Sequence, residues 1–186
     1  KYLENFAEKE VPRGLFRQVF FPKPEKKFNY CAVVPLYGET LWLKEGLSSI
    51  LEAAKKVKGR TLLIVVVNRH ELSPNWVDTE NVQTLKFFDS FSPIPAQDFP
   101  LMSLVEFSAE VDILLLNHNQ EPNLFSSKEG VGRARKLGCD LALALSTTPV
   151  LQCKYIHTTD GDAIVAADYF QIEEETNAEI LLDRKS

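Results

Sequence analysis

Apolar and polar positions along the chain follow two alternating rhythms. Short, almost wholly apolar runs of strand length are separated by stretches in which apolar residues return every third or fourth position. Asn29 to Pro35 (Asn-Tyr-Cys-Ala-Val-Val-Pro) predicts a first buried strand, cut off by the proline. Leu41 to Lys58 predicts a helix with Leu47, Ile50, Leu51, Ala54 and Val57 on one face, and Gly59 takes the place glycine favours after a helix end. Thr61 to Asn68 predicts a second strand, apolar on both faces as central parallel strands are. Residues 69–100, with Pro74, Pro93, Pro95 and Pro100, read as a loop-rich connection, and Phe99 to Glu110 as a helix. Val111 to Asn117 predicts a third strand. Ser126 and Glu129, three apart, form a capping-box pattern that opens a helix with Val131, Ala134, Leu137, Leu141 and Leu145 on its buried face. Gln152 to Thr159 predicts a fourth strand. The acidic run Glu173-Glu174-Glu175 leaves two readings of the end, a last helix over Asp168 to Ala178 or a solvated loop.

These elements divide the chain into an N-terminal arm with one short helix (1–29), a main domain (30–170) and a C-terminal segment (171–186). Alternation of strand and helix implies an α/β fold, a mainly parallel sheet with helices on both faces. Such sheets bind ligands outside the carboxyl ends of their strands. Four strand ends are polar and turn-prone, Pro35-Leu36-Tyr37-Gly38-Glu39, Asn68-Arg69-His70, Asn117-His118-Asn119 and Asp160-Gly161-Asp162, and they are expected to meet on one rim.

Composition narrows the class. With 186 residues, 45% of them hydrophobic and 25% charged, the chain reads as one ordinary globular domain. A net charge of −5 argues against nucleic-acid binding, which needs a basic face. Cys31, Cys139 and Cys153 are odd in number and set among apolar residues, as buried reduced thiols of the cytosol are. The aliphatic run Leu62 to Val67 is far too short to span a bilayer, and no signal peptide is visible. The expectation is a cytoplasmic protein without a transmembrane segment here, held at the inner face of a membrane, if at all, through parts outside this sequence. Starting at Lys1 without a methionine, the chain reads as a fragment or as a minimal protein.

Candidate chemistry concentrates at Asp160-Gly161-Asp162. Aspartate oxygens suit the hard cations Mg²⁺ and Mn²⁺, which keep open positions for water and phosphate. By itself such a tripeptide is more often just a surface turn. Lys128, Arg133, Arg135 and Lys136 crowd the start of the helix after the third strand. Cations are unfavourable beside a helix N-terminus, so at least one is expected to serve an anionic ligand there, the alternative being a solvated basic face. Gly130-Val131-Gly132 lacks the third glycine and the strand context of a dinucleotide fingerprint. His70, His118 and His157 lack metal-helix spacing, and His157 reads as a packed strand residue.

Three stretches together resemble the nucleotide-binding half of a family 2 glycosyltransferase. Val33-Val34-Pro35-Leu36-Tyr37-Gly38-Glu39 is similar to that family's first strand and its Val-Pro-x-Tyr-Asn-Glu ending. Gly130 to Gly138 resembles its helix motif Gly-x-x-x-Ala-Arg-Asn-x-Gly, and Tyr155 to Asp162 the strand leading to its metal-binding Asp-x-Asp. The resemblance implies a Rossmann-like GT-A fold and a metal-dependent enzyme transferring sugar from a UDP- or GDP-linked donor to an acceptor hydroxyl. It implies that Pro35, Tyr37, Glu39, Asn68, Lys128, Arg135 and Asp160 line the nucleotide site. Asp162, with Asp160 as a direct or water-mediated partner, would hold Mn²⁺ or Mg²⁺. In inverting members a carboxylate base activates the acceptor. Departures are Gly38 for Asn, Asn68-Arg69 where many members carry an acidic pair, and Lys136 for Asn. No catalytic base is assignable; Glu173, Glu174, Glu175 and Asp183 are unplaced. The alternative is a catalytically silent nucleotide-binding or interaction module of the same fold. A third class, a sugar-phosphate nucleotidyltransferase, would need a basic glycine-rich loop where Leu36 to Thr40 is acidic.

Overall fold

The computed structural model describes residues 2–11, 27–96 and 99–172. Tyr2–Asn5 forms a short helix, α1. There follow β1 (Tyr30–Leu36), α2 (Thr40–Ala54), β2 (Thr61–Asn68), α3 (Asn75–Asp89), β3 (Ile94–Ala96), β4 (Phe99–Glu106), β5 (Val111–His118), α4 (Val131–Ser146) and β6 (Ile156–Thr158). The strands form one six-stranded sheet in the order β3-β4-β5-β2-β1-β6. β5, β2, β1 and β6 run parallel, while β4 pairs antiparallel with both β5 and β3, so the sheet is mixed.

Strands β1 and β2 are buried along their full length, which is why they read as unbroken apolar runs rather than alternating ones. Side-chain alternation divides their residues between two cores. Cys31, Val33, Leu62, Ile64, Val66, Leu114 and Leu116 face Ala134, Leu137, Leu141 and Leu145 of α4. Ala32, Val34, Leu36, Leu63, Val65, Val67, Ile113 and Leu115 face Leu43, Leu47 and Ile50 of α2 and Phe88 of α3. Helices therefore cover both faces, as expected for this α/β class. α4 approaches β1 so closely that a Cβ on Gly138 would collide with Val33 Cγ1.

Several sequence expectations are corrected. The connection expected to be loop-rich holds α3, a fifteen-residue helix. Its buried positions Val77, Asn81, Thr84 and Phe88 keep helical spacing, but two are polar, so no apolar stripe marks them. Phe99 to Glu110 is not helical: β4 fills Phe99–Glu106 as part of an antiparallel edge. Its apolar pairs Leu101-Met102 and Leu104-Val105 blur the two-residue alternation that would have identified a strand. β1 continues through Pro35, which pairs in register with Val66; β6 pairs only with Cys31 to Val33, so no ladder bond on that side is lost at the proline. α4 begins at Val131, not at the capping-box serine, and Val131 is 48% exposed rather than buried. Ser126 and Glu129 do bond, Ser126 N and Oγ each donating to Glu129 Oε2 at 3.0 Å, but this closes the turn ahead of the helix. The last paired strand is shorter than expected. Of the optional final helix, Asp168 to Gln171 is a turn, and residues from 173 onward lie outside the described residues, Glu173, Glu174, Glu175 and Asp183 among them.

Cys31 is buried, Cys139 and Cys153 are half-buried, and none of the three is in a disulfide. No helix among the described residues is long and apolar enough to cross a membrane.

Candidate functional site at the carboxyl rim of the sheet

The parallel register brings the carboxyl ends of β5, β2, β1 and β6 to one rim, as the strand-end sequences anticipate. A buried amide network fixes that rim. Asn81 of α3 accepts from Gly38 N at 2.9 Å and donates to Asn68 O at 2.9 Å and Asn119 Oδ1 at 2.8 Å. Asn119 donates in turn to Asp78 Oδ1 at 2.9 Å. Thr40 Oγ1 bonds Glu80 O at 2.5 Å and Thr84 Oγ1 at 2.8 Å, locking α2 to α3. Buried and partnered amides of this kind hold strand ends in place because breaking any one leaves an unsatisfied polar group.

Glu39 lies at the centre of the rim, where its carbonyl accepts the first helical bonds of α2 from Trp42 N and Leu43 N at 3.1 Å. Burial pushes its carboxyl from 4.5 up to about 7; a backbone bond from Tyr37 opposes the rise, and the charges of Asp162 and Asp160 add to it. Its Oε2 is buried without a hydrogen-bond partner. The cause is the Asp160-Gly161-Asp162 turn, whose buried Gly161 packs so tightly that a Cβ there would collide with Leu36 Cδ2 and Glu39 Oε2. The same turn rests on α2, since a Cβ on Gly46 would meet Gly161 O at 2.9 Å. Only glycine at 161 lets the two aspartates stand beside Glu39.

The expected site residues separate into groups. Glu39, Asp160 and Asp162 come together at the end of β1. Arg135 joins them by pairing with Asp160 Oδ1. Tyr37 is on the same turn, its OH donating to Ser73 Oγ at 3.1 Å and lying 3.4 Å from His70 Nε2. Pro35 is buried within β1. Asn68 lies under the rim, 1% exposed, with Nδ2 donating to Leu36 O at 2.9 Å; it fixes the strand end rather than lining an open surface. Lys128 is exposed in the turn before α4.

The other two cations serve the arm. Arg133 pairs with Glu10 and Glu129 at 2.6 Å and stacks 4.6 Å over the Phe125 ring. Lys136 pairs with Glu8 at 3.0 Å and Asp140 at 2.7 Å. His157 is packed against Tyr169 and Phe170, ring centroids 4.8 and 5.2 Å away, as its strand setting implies. Sequence reasoning placed His70 on the rim without a role there and missed Ser73 and Trp76; all three cluster around Tyr37. The proline-rich connection hid the helix carrying Trp76, and a lone tryptophan after Pro74 was the available signal.

Among the described residues no three His, Cys, Asp or Glu side chains are arranged to hold a metal by themselves. Two aspartates fit Mg²⁺ or Mn²⁺ in another way, because such ions take one or two carboxylates and complete their shell with water and phosphate oxygens. Asp162 is exposed at the rim, and Asp160 carries Arg135 as a counter-charge. The buried, unpartnered Glu39 Oε2 beside them marks a place where a cation would relieve crowded negative charge. A separate groove of about 330 Å³ between α3 and the antiparallel edge, lined by Val82, Leu85, Lys86, Met102 and Leu115, has no such carboxylate cluster. No protein-family model matches the chain, and no curated protein matches it.

Proposed function

We propose that this chain is the nucleotide-sugar-binding portion of a metal-dependent glycosyltransferase of GT-A fold. The observation that carries the reading is the meeting of Glu39 with Asp160-Gly161-Asp162 at the carboxyl rim, with Arg135 beside them. In this reading Asp162 and Asp160 hold Mn²⁺ or Mg²⁺, and Lewis-acid neutralisation of the departing diphosphate is the chemistry that ion supplies when bound. Arg135 adds positive charge on the same side, exchanging Asp160 for a phosphate oxygen when ligand enters. Glu39 bonds the ribose hydroxyls. The sugar passes to an acceptor hydroxyl as its bond to the diphosphate breaks, with acceptor and base contributed from outside the described residues.

A catalytically silent module of the same fold is the second reading, favoured by one observation. The Arg135–Asp160 pair already neutralises half of the aspartate couple, as a site that binds without turnover would tolerate. Calorimetric titration of UDP and GDP, each with and without Mn²⁺, tests the shared nucleotide claim. The expected result is micromolar binding that vanishes with chelator and in Asp162→Ala, with unfolding of that variant unchanged because an exposed rim carboxylate supports no core. Absence of binding by either nucleotide overturns the enzyme and the nucleotide-binding form of the silent module, and leaves only an interaction module of the same fold. Mn²⁺-dependent release of nucleotide from UDP- and GDP-sugars separates enzyme from silent module.

A further inference from the structure

Trp76 exposes 56% of its surface, an unfavourable placement for so large an apolar ring, and it does so on the rim that carries Glu39 and the two aspartates. The indole is nevertheless held. It lies over Gly38, where a Cβ would meet Trp76 Cζ3 at 2.6 Å and where φ is +72°, a conformation open to glycine. Tyr37 meets it edge-on, with centroids 6.4 Å apart and planes at 85°. Tyr37 is itself fixed by its bond to Ser73 and by stacking on His70 at 6.0 Å and 21°. Backbone beneath and a ring at its side thus set the indole's position while more than half of it faces solvent.

Gly38 and Glu39 are adjacent, their Cα atoms about 3.8 Å apart across one peptide. Trp76 covers the first and Gly161 packs on the second, so an aromatic surface and a carboxylate cluster flank a single turn. One ligand class matches that pairing: a flat aromatic base joined through a short polar linker to an anion that takes a divalent cation.

We propose that Trp76, buttressed by Tyr37 over Gly38, is the stacking platform for the nucleobase of a nucleoside diphosphate whose phosphates lie toward Asp160 and Asp162. This rests on the nucleotide-binding function proposed above and names the residue that holds the base. Stacking uses the π-face that every base has, so both UDP and GDP gain affinity from it.

The chain has two tryptophans, Trp42 and Trp76, so Trp42→Phe leaves Trp76 as the sole indole reporter. In that protein with Mn²⁺, UDP and GDP should each quench the fluorescence saturably, whereas pyrophosphate should bind by calorimetry without quenching. Trp76→Ala should weaken both nucleotides roughly 5- to 150-fold and leave pyrophosphate affinity unchanged, while Trp76→Phe keeps most of the affinity. Nucleotide binding equal in Trp76→Ala and the parent, with pyrophosphate also bound, would overturn the platform and leave the nucleotide reading standing. Failure of nucleotides and pyrophosphate alike to bind the parent would overturn both. If Trp76→Ala does not fold, the sole-indole protein decides: calorimetric saturation without quenching refutes the platform.

Discussion

Replacing Glu39 by glutamine should make the metal-free protein more stable at alkaline pH and leave it unchanged at acid pH. Burial raises this carboxyl from 4.5 to about 7, helped by Asp162 and Asp160 and opposed by the Tyr37 backbone bond. The folded protein therefore holds the proton more tightly than the unfolded chain. Between pH 4.5 and about 7 the folded state binds more protons, so stability falls as pH rises through that window. Below pH 4.5 the carboxyl is neutral in both states and nothing is lost; above about 7 the full cost is present. At about 1.36 kcal/mol per decade the upper limit is about 3.4 kcal/mol. Glu39 is only partly buried, and screening by solvent reduces this to about 1–2 kcal/mol. Glutamine is isosteric and uncharged, so it removes the cost without opening a cavity. Urea unfolding of both proteins in chelator at pH 4.5 and pH 8.5 measures the effect as a difference of midpoints that appears only at the higher pH. Added Mn²⁺ should narrow the pH 8.5 gap by favouring the ionised parent carboxyl. A gap of equal size at both pH values, or a variant less stable at pH 8.5, would refute the claim that Glu39 is strained by burial beside two aspartates.

Other perturbations probe the supports of the site. Gly161→Ala drives a methyl into Leu36 and Glu39; overpacking should cost about 1–3 kcal/mol in urea unfolding and weaken Mn²⁺-dependent nucleotide binding by calorimetry. Asp140→Asn breaks the ion pair with Lys136 and weakens an acceptor for Tyr2 OH and Glu8 N, so residues 2–11 should lose protection from hydrogen exchange while the sheet keeps its own. Arg60→Ala leaves the fully buried Asp112 carboxylate without its 2.6 Å partner at the opposite end of the sheet, and unfolding should show a loss of about 3 kcal/mol with nucleotide binding unchanged.

Part of the fold is legible in the residue pattern. The strands Thr61–Asn68 and Val111–His118 announce themselves because a strand covered on both faces has almost no polar positions to disguise it. α2 and α4 are legible because each buries one face only, so their period survives. α3 is illegible for the converse reason: Asn81 and Thr84 occupy its buried seats, and their polarity is needed to bond Gly38, Asn68, Asn119 and Thr40. The candidate site divides the same way. Asp160-Gly161-Asp162 stands out as residue chemistry, whereas Trp76 reaches the rim only through a helix that the sequence conceals.

Burial dictates residue type locally, so the order of residues suffices to set the alternation of buried runs and one-sided helices. With that alternation comes an α/β sheet whose polar strand ends share a rim. Which cation serves which carboxylate is a matter of packing. Arg133, Arg135 and Lys136 are near neighbours in sequence, yet helical rotation sends Arg135 to Asp160 and the other two to the N-terminal arm. Packing also leaves Glu39 Oε2 without a hydrogen-bond partner beside Gly161, since charge proximity and desolvation arise from residues more than a hundred positions apart that only the folded chain brings into contact.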